Sequence, residues 1–237
     1  MTLISKEDFV ELFASAGLAV GDAEYRRFEL YARLLAEKNA VMNLTAITEP
    51  AEVAEKHFLD SCLPLKLFDI PENASFVDVG AGAGFPSLPI AILRPDLRFT
   101  LIDSLNKRVG FLKEVCSALG ISAECLHLRA EDAGRGDLRE SFDIAAARAV
   151  SRLSTLCEYC LPLVKVGGAF LALKGGDCAA ELREAYTAIK TLGGKTERVE
   201  EYSLPCGDRR TLIVIRKVAP TPKAYPRQQS KIKTKPL

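Results

Sequence analysis

A glycine-rich turn between a buried strand and a helix is the segment whose residue types point most directly to chemistry. Residues 77–86 read Val-Asp-Val-Gly-Ala-Gly-Ala-Gly-Phe-Pro. Glycine lets a backbone turn sharply and lets a ligand approach to contact distance, while the free amides of the following helix face the same point. The segment therefore predicts a small, tightly bound cofactor at Gly80 and Gly82.

Two neighbouring side chains narrow the choice of cofactor. A dinucleotide-binding turn has a third glycine at the position that Phe85 occupies in this chain. Asp78 precedes the first glycine, where a carboxylate attracts an ammonium or a sulfonium and repels a pyrophosphate. Both features favour S-adenosylmethionine over a dinucleotide.

Acidic residues follow the next two predicted strands. Asp103 lies at the end of the second predicted strand, where its carboxylate can accept hydrogen bonds from ribose hydroxyls. Ala130 and Glu131 follow the third strand, where backbone amides and a carboxylate can contact the edge of an adenine. Taken singly, the glycines also suit an ordinary turn, Asp103 a helix cap and Glu131 a solvated acid. Their register at consecutive strand ends favours one shared site.

Cations follow the fourth and fifth predicted strands. Arg148 and Lys174 should border the same crevice and orient an anionic substrate such as nucleic acid. Arg148 could instead pair with a local carboxylate, Asp143 or Glu131, and Lys174 could be a plain exposed lysine. Residues 147–151 contain neither an Asn-Pro-Pro-aromatic run nor a Pro-Cys pair, so neither an exocyclic amine nor a pyrimidine carbon is favoured as methyl acceptor.

Hydrophobic patterning predicts the scaffold that positions these residues. Helical periodicity dominates residues 1–70, which we interpret as a helical extension packed on the main domain. Short apolar runs then alternate with helices in residues 71–219, which is typical of a mostly parallel, doubly wound α/β sheet. The apolar runs are residues 76–79, 99–102, 125–128, 142–147 and 169–173.

Two further segments complete the predicted architecture. Residues 197–202 and 211–216 alternate without a long crossover between them, which predicts an antiparallel hairpin at the sheet edge. Residues 220–237 contain several prolines and lysines and no acid, which indicates a basic, weakly structured tail.

Composition sets broad limits on function. The formal net charge of +1 gives no global attraction to nucleic acid or membrane, so a polyanion site must be local. The seven scattered cysteines fit a reducing compartment, and the Cys157/Cys160 pair suits helix packing better than redox or metal chemistry. With neither a signal peptide nor a membrane-length apolar run, a cytoplasmic protein is expected, without a metal or an obligate protein partner.

Taken together, these motifs resemble the bacterial small-subunit ribosomal RNA guanine-N7 methyltransferases, the glucose-inhibited-division type B family. The resemblance covers nearly the whole chain. It is carried by residues 43–45 (Asn-Leu-Thr), 57–61 (His-Phe-Leu-Asp-Ser), 78–86, 103–108 (Asp-Ser-Leu-Asn-Lys-Arg), 130–131, 148–150 (Arg-Ala-Val), 174–175 (Lys-Gly), 225–227 (Tyr-Pro-Arg) and 235–237 (Lys-Pro-Leu). Ser87 and residues 228–230 (Gln-Gln-Ser) depart from the family pattern.

The resemblance implies a Rossmann-like class I methyltransferase that uses S-adenosylmethionine to methylate guanine N7 in 16S ribosomal RNA or the small subunit. The implied cofactor residues are Gly80, Phe85, Asp103, Ser104, Leu105, Ala130, Glu131 and Arg148. The candidate RNA-binding cations are Lys174, Arg227, Lys231, Lys233 and Lys235. Guanine N7 carries a free lone pair, so alignment and desolvation suffice and no general base is required.

Two rival functions remain open at this stage. One is a methyltransferase of the same fold that acts on a small molecule or a protein. The other is a noncatalytic RNA-binding factor in ribosome assembly that has kept the fold. The roles of Asn43, His57 and Asp60 do not follow from the sequence, and helix packing or capping suits each of them.

Overall fold

The computed structural model describes residues 3–148 and 151–237. Within them, seven strands form one sheet, whose central strands are apolar runs with side chains buried on both faces. The strands are β1 Ser75–Val79, β2 Arg98–Asp103, β3 Ala123–His127, β4 Phe142–Arg148, β5 Val164–Gly175, β6 Gly194–Ser203 and β7 Arg209–Lys217. Every predicted strand is present within a few residues of its expected ends.

The strand order is β3-β2-β1-β4-β5-β7-β6. Strands β1 to β5 pair in parallel, whereas β7 runs antiparallel to both β5 and β6. The predicted fold class, a mostly parallel doubly wound sheet with an antiparallel edge hairpin, is therefore confirmed. The order reverses between β1 and β4, and at such a switch point ligands bind beyond the carboxyl ends of the strands.

Helices cover both faces of this sheet. They are α1 Lys6–Ser15, α2 Asp22–Met42, α3 Pro50–Glu52, α4 Asp60–Cys62, α5 Pro64–Leu67, α6 Ser87–Leu93, α7 Asn106–Leu119, α8 Ala130–Ala133, α9 Leu153–Cys160, α10 Ala179–Thr191 and α11 Gln229–Thr234. A π-helical turn, Val53–Leu59, joins α3 to α4 where the sequence predicts an ordinary helix. Such turns occur often at functional sites, and this one carries His57. Within the described residues, no helix is long and apolar enough to cross a bilayer.

Two hydrophobic clusters lie on opposite faces of the sheet. One cluster joins α1, α2, α6 and α7 to the sheet through side chains such as Phe28 and Phe76. The other joins α9 and α10 to the sheet and includes Ile232 of α11. Residues of the N-terminal helices therefore pack in the same core as the sheet.

The C-terminal segment differs from the expected weakly structured tail. It contains α11, whose Ile232 side chain is fully buried. Arg139 donates hydrogen bonds to the carbonyl oxygens of Thr221 (2.6 Å) and Tyr225 (2.8 Å). The prolines and lysines give little periodicity by themselves, but contacts with residues distant in the sequence fix the backbone.

Candidate active site

A cavity of about 370 Å³ opens beyond the carboxyl ends of β1, β2 and β3. This volume lies in the range of small-molecule sites, roughly 300–1,000 Å³. The predicted cofactor residues that line the cavity are Gly80, Asp103, Ser104, Ala130 and Glu131. Parallel strands bring these residues together because their carboxyl ends meet at the same edge of the sheet.

The Asp103 carboxylate is held in place by backbone amides. Its Oδ2 accepts from the amide of Gly82 at 2.9 Å, and its Oδ1 accepts from the amide of Leu105 at 2.8 Å. A carboxylate oxygen can accept a second hydrogen bond. Asp103 lines the cavity and can therefore still accept hydrogen bonds from two neighbouring hydroxyl groups of a ligand.

The glycine turn requires glycine for two different reasons. Gly82 has a φ of +58°, and a side chain added there would meet only the Gly80 carbonyl oxygen, at 3.8 Å. Gly84 has a φ of +99°, and a Cβ there would lie 2.6 Å from the Tyr31 hydroxyl oxygen. Gly82 is thus needed for its positive φ alone, whereas Gly84 also lets the Tyr31 side chain pack directly against the turn.

The position of Asp78 differs from the expected contact with the cofactor. Alternation along β1 turns Val79 toward the cavity and Asp78 toward the opposite face, where its side chain is fully buried. Its Oδ2 accepts a long hydrogen bond, 3.4 Å, from the amide of Ser87. Asp78 Oδ1 and Ser87 Oγ have no partner among the described residues. Burial raises the pKa of Asp78 to about 7, although the hydrogen bond from the Ser87 amide acts in the opposite direction.

Phe85 does not line the first cavity. Its ring stacks on the His57 imidazole, with centroids 4.5 Å apart, and the Arg148 guanidinium lies 4.7 Å from its centroid. The Tyr31 ring stacks on Phe85 at 5.5 Å. The glycine turn is thereby tied to the N-terminal helices and to the end of β4.

A second cavity, of about 320 Å³, lies beyond the ends of β4 and β5. It contains four basic side chains and one carboxylate. Its lining residues are Ile47, Lys56, His57, Asp60, Arg148, Leu173, Lys174, Gly175 and Arg210. Each of the four cations lies within 4 Å of a carboxylate, so the cavity presents positively charged donors that are held in place by acidic partners.

Arg148 is held by Asp60 rather than by the expected Asp143 or Glu131. The Nη1 atom of Arg148 lies 3.5 Å from Asp60 Oδ2 and donates to the Lys56 carbonyl oxygen at 3.1 Å. Asp60 also accepts hydrogen bonds from Arg210 at 3.2 Å and from the Tyr202 hydroxyl at 3.1 Å. Burial lowers the pKa of Arg148, while Asp60 acts against this shift. The guanidinium is thus fixed and lines the second cavity, not the first.

The tautomer of His57 follows from its partners. Arg148 Nη2 is only a donor, so His57 Nδ1, 3.4 Å away, is the acceptor. The proton therefore resides on Nε2, which donates to Thr45 Oγ1 at 2.7 Å. Burial and, second, the charge of Arg148 lower the pKa of His57 to about 3. The imidazole is neutral near pH 7, and both of its nitrogens are engaged.

The two cavities adjoin at the end of β4. Arg148 lines the second cavity and Ser151 lines the first. The Lys174 ammonium donates to the Ser151 carbonyl oxygen at 2.9 Å and to Glu181 at 2.8 Å, and so is not the free lysine of the alternative interpretation. Ala149 and Val150, which belong to the resemblance, lie outside the described residues.

The predicted RNA-binding cations of the C-terminal segment fall into two groups. Arg227 forms a bidentate pair with the buried Glu158 carboxylate, at 2.7 Å from Nη2 to Oε2 and 2.9 Å from Nε to Oε1. Lys231, Lys233 and Lys235 are exposed on or beside α11. Arg227 is therefore engaged inside the protein, whereas the three lysines face solvent.

Sequence reasoning missed several residues of both cavities. His57 and Asp60 lie in one quoted motif, and their spacing of one helical turn could have indicated a shared face. Asn43, from another quoted motif, ends α2 in the left-handed conformation. No local sequence pattern indicates that Lys56 and Arg210 line the second cavity. Likewise, no local pattern indicates that Gln229 and Pro236 line the first cavity.

The groups of the first cavity fit S-adenosylmethionine. Asp103 supplies acceptors for ribose hydroxyls, and the buried carboxylate of Glu131 lies beside the Ala130 backbone. Gly80 lines the cavity, whereas Gly82 does not and instead donates its amide to Asp103. The carboxylates also oppose binding of a pyrophosphate. The residues present thus match a cationic nucleoside.

Comparisons with known proteins agree with this geometry. Residues 24–213 match the family model described as rRNA small subunit methyltransferase G. The chain is 48% identical to "Ribosomal RNA small subunit methyltransferase G" of Brevibacillus brevis, over 99% of this chain and 100% of that protein. It is 45% identical to the protein of that name from Clostridium perfringens, over 94% and 95% of the two chains.

A solved SAM-dependent methyltransferase from Aquifex aeolicus shares the fold, with a TM-score of 0.55 and 18% identity over 73% of this chain and 96% of that chain. The chain therefore belongs to the rRNA small subunit methyltransferase G family, which confirms the prediction of a methyltransferase that uses S-adenosylmethionine.

Proposed function

We propose that this enzyme methylates N7 of a guanine in 16S ribosomal RNA, as naked RNA or in the small subunit, in the cytoplasm. The observation that supports this acceptor is the second cavity, which lies beside the first and is lined by the donor side chains of Lys56, Arg148, Lys174 and Arg210. The family supports the ribosomal substrate, because the relatives are named as methyltransferases of small-subunit ribosomal RNA.

The first cavity holds the cofactor in this proposal. Asp103 binds the ribose, the turn at Gly80 binds the methionine portion, and Ala130 with Glu131 binds the adenine. When bound, S-adenosylmethionine supplies an electrophilic methyl group on a positively charged sulfur. Asp78 lies behind the turn and, in its ionised form above a pH of about 7, contributes negative potential without touching the ligand.

The second cavity orients the guanine nucleotide. Arg148, Lys174 and Arg210 supply positive charge for a phosphate and donors for the guanine O6, which lies beside N7. Asp60 and Glu181 hold these side chains in fixed positions before the substrate arrives. Such preorganisation lowers the cost of aligning the acceptor with the methyl group.

Proton removal is not required of this site. Both nitrogens of His57 are engaged by Thr45 and Arg148, and both oxygens of Asp60 are engaged by Tyr202, Arg148 and Arg210. Among the described residues that line the second cavity, neither group is free to act as a base. This arrangement suits N7, whose lone pair is available without deprotonation.

The direct test is incubation with tritiated S-adenosylmethionine and either naked 16S ribosomal RNA or small subunits, followed by nucleoside analysis. We expect label in N7-methylguanosine. Label on a ring carbon, on protein or on a small molecule would contradict the proposal. RNA binding without any transfer would favour the noncatalytic assembly factor.

A matched pair of variants tests the role of the second cavity. Arg210 lines the cavity, whereas its neighbour Arg209 is exposed and pairs with Glu201. We expect Arg210→Ala to lower kcat/KM for RNA by roughly 10-fold or more, which is the cost of one lost charged contact. Arg209→Ala should retain most activity. Equal effects of the two substitutions would argue against a substrate site in this cavity.

A further inference from the structure

The C-terminal end of the chain lies against the cofactor cavity. Gln229, Lys233 and Pro236 line the cavity together with Asp103 and Glu131. These three residues follow β7 in the sequence, and β7 lies on the other side of β1 from the cavity strands β2 and β3. Residues 218–237 therefore return across the protein to the site.

Several contacts hold this return segment in place. Glu158 of α9 is fully buried and accepts hydrogen bonds from both the backbone amide (2.8 Å) and the guanidinium of Arg227. Arg135 donates to the Pro226 carbonyl oxygen at 2.9 Å. Ile232 is fully buried against the α9 and α10 side of the core. The segment has the anchoring of a structural element, although its sequence is that of a basic tail.

One contact joins the segment to a cofactor-binding loop. Arg129 Nη1 donates to Gln229 Oε1 at 2.6 Å, and Arg129 immediately precedes Ala130 and Glu131. Tyr159 of α9, the helix under α11, lines the same side of the cavity. The C-terminal segment thus faces the end of the cavity assigned to adenine rather than the glycine turn.

We propose that residues 225–237 form a wall of the S-adenosylmethionine pocket, with Gln229, Lys233 and Pro236 contacting the nucleoside end of the cofactor. This inference rests on the cofactor assignment of the proposed function. It assigns Lys233, which the sequence suggested as an RNA-binding residue, to cofactor binding. It also gives a role to the ion pair between Arg227 and the buried Glu158, which fixes the approach to α11.

The test measures binding of S-adenosylhomocysteine to the full-length protein by calorimetry, with no methyl transfer involved. Ile232→Asp should undock α11, because it places a charge in a fully buried apolar position. We expect its Kd to rise by about 10-fold or more, since small ligands bind through extensive burial of their surface.

A second variant covers the case in which Ile232→Asp unfolds the protein. The double substitution Gln229→Ala and Lys233→Ala removes two cavity contacts and leaves the buried Ile232 intact. We expect a rise in Kd of roughly 3- to 10-fold. Lys231→Ala is the matched control, because Lys231 is an exposed lysine of the same helix outside the cavity lining, and its Kd should equal that of the wild type.

Hydrogen exchange gives an independent readout on the wild-type protein. Binding and ordering are reciprocal, so a ligand that contacts α11 must slow opening of α11. We expect S-adenosylhomocysteine to protect two amides of this helix from exchange. They are the amide of Ile232, which donates to the Gln228 carbonyl oxygen, and the amide of Lys235, which donates to the Lys231 carbonyl oxygen. The proposal is overturned if every folded variant binds S-adenosylhomocysteine with the wild-type Kd and if the ligand leaves exchange of the α11 amides unchanged. That outcome would leave the proposed function intact. Failure of the wild type to bind S-adenosylhomocysteine would instead refute the proposed function.

Discussion

Replacing the buried Asp78 with asparagine should stabilise the ligand-free protein at pH 8. Asp78 is fully buried, and burial raises its pKa to about 7 from the ordinary value of 3.8. Its Oδ1 and the nearby Ser87 Oγ have no partner among the described residues. Asparagine has nearly the same shape, never ionises and can offer an amide donor to the unpaired Ser87 Oγ.

The sign and size of the effect follow from proton linkage. Between pH 3.8 and about 7 the native state keeps the Asp78 proton that the unfolded chain releases, so the free energy of unfolding falls as pH rises. Each pH unit in that interval corresponds to 1.36 kcal/mol, which gives at most about 4 kcal/mol at pH 8. Entry of water and side-chain relaxation reduce this value, so we expect a gain of about 1–4 kcal/mol for Asp78→Asn.

Denaturant unfolding at a series of pH values from 5 to 8 measures this difference. The chain has no tryptophan, so circular dichroism is the appropriate signal. His57, with a pKa lowered to about 3, makes the wild type more stable as pH rises to about 6.5. Because His57 contributes equally to both proteins, the difference between wild type and variant isolates Asp78.

The result that refutes this reasoning is a difference independent of pH, or a variant less stable than the wild type at pH 8. Asp137→Asn is the control, because Asp137 is exposed and its replacement should change stability by less than about 0.5 kcal/mol. Asp78→Asn should also bind S-adenosylmethionine more weakly, since it removes negative charge behind the glycine turn. A gain in stability with a loss of affinity is the usual exchange at a functional site.

Three further substitutions test other parts of the structure. Asp103→Ala should raise the Kd for S-adenosylhomocysteine roughly 10- to 100-fold, because it removes charged hydrogen-bond acceptors for the ribose; an unchanged Kd in calorimetry would place the ribose elsewhere. Glu158→Gln should lower the free energy of unfolding by about 2–4 kcal/mol, and the added change Arg227→Met should recover part of that loss, because it removes the unpaired cation. Lys217→Met should cost about 2–4 kcal/mol in denaturant unfolding, since the fully buried ammonium pairs with Glu140 at 3.0 Å; a loss below 1 kcal/mol would mean that the pair is dispensable.

The sequence by itself determined the sheet, the glycine turn and the residues that line the first cavity at the ends of β1, β2 and β3. These features depend on local patterns: short apolar runs, glycines that permit positive φ, and acids placed at strand ends. Parallel strands place their carboxyl ends at one edge, so Gly80, Asp103 and Glu131 converge whatever the rest of the chain does.

Only the tertiary structure decided which charges pair and what surrounds the site. Arg148 meets Asp60 rather than Asp143, Arg227 pairs with the buried Glu158, and a segment that reads as a solvated tail lines the first cavity. Asp78 faces away from the first cavity because the neighbouring Val79 faces toward it. The partner of a charged side chain is fixed by elements far away in the sequence, and no local pattern encodes which of them will pack beside it.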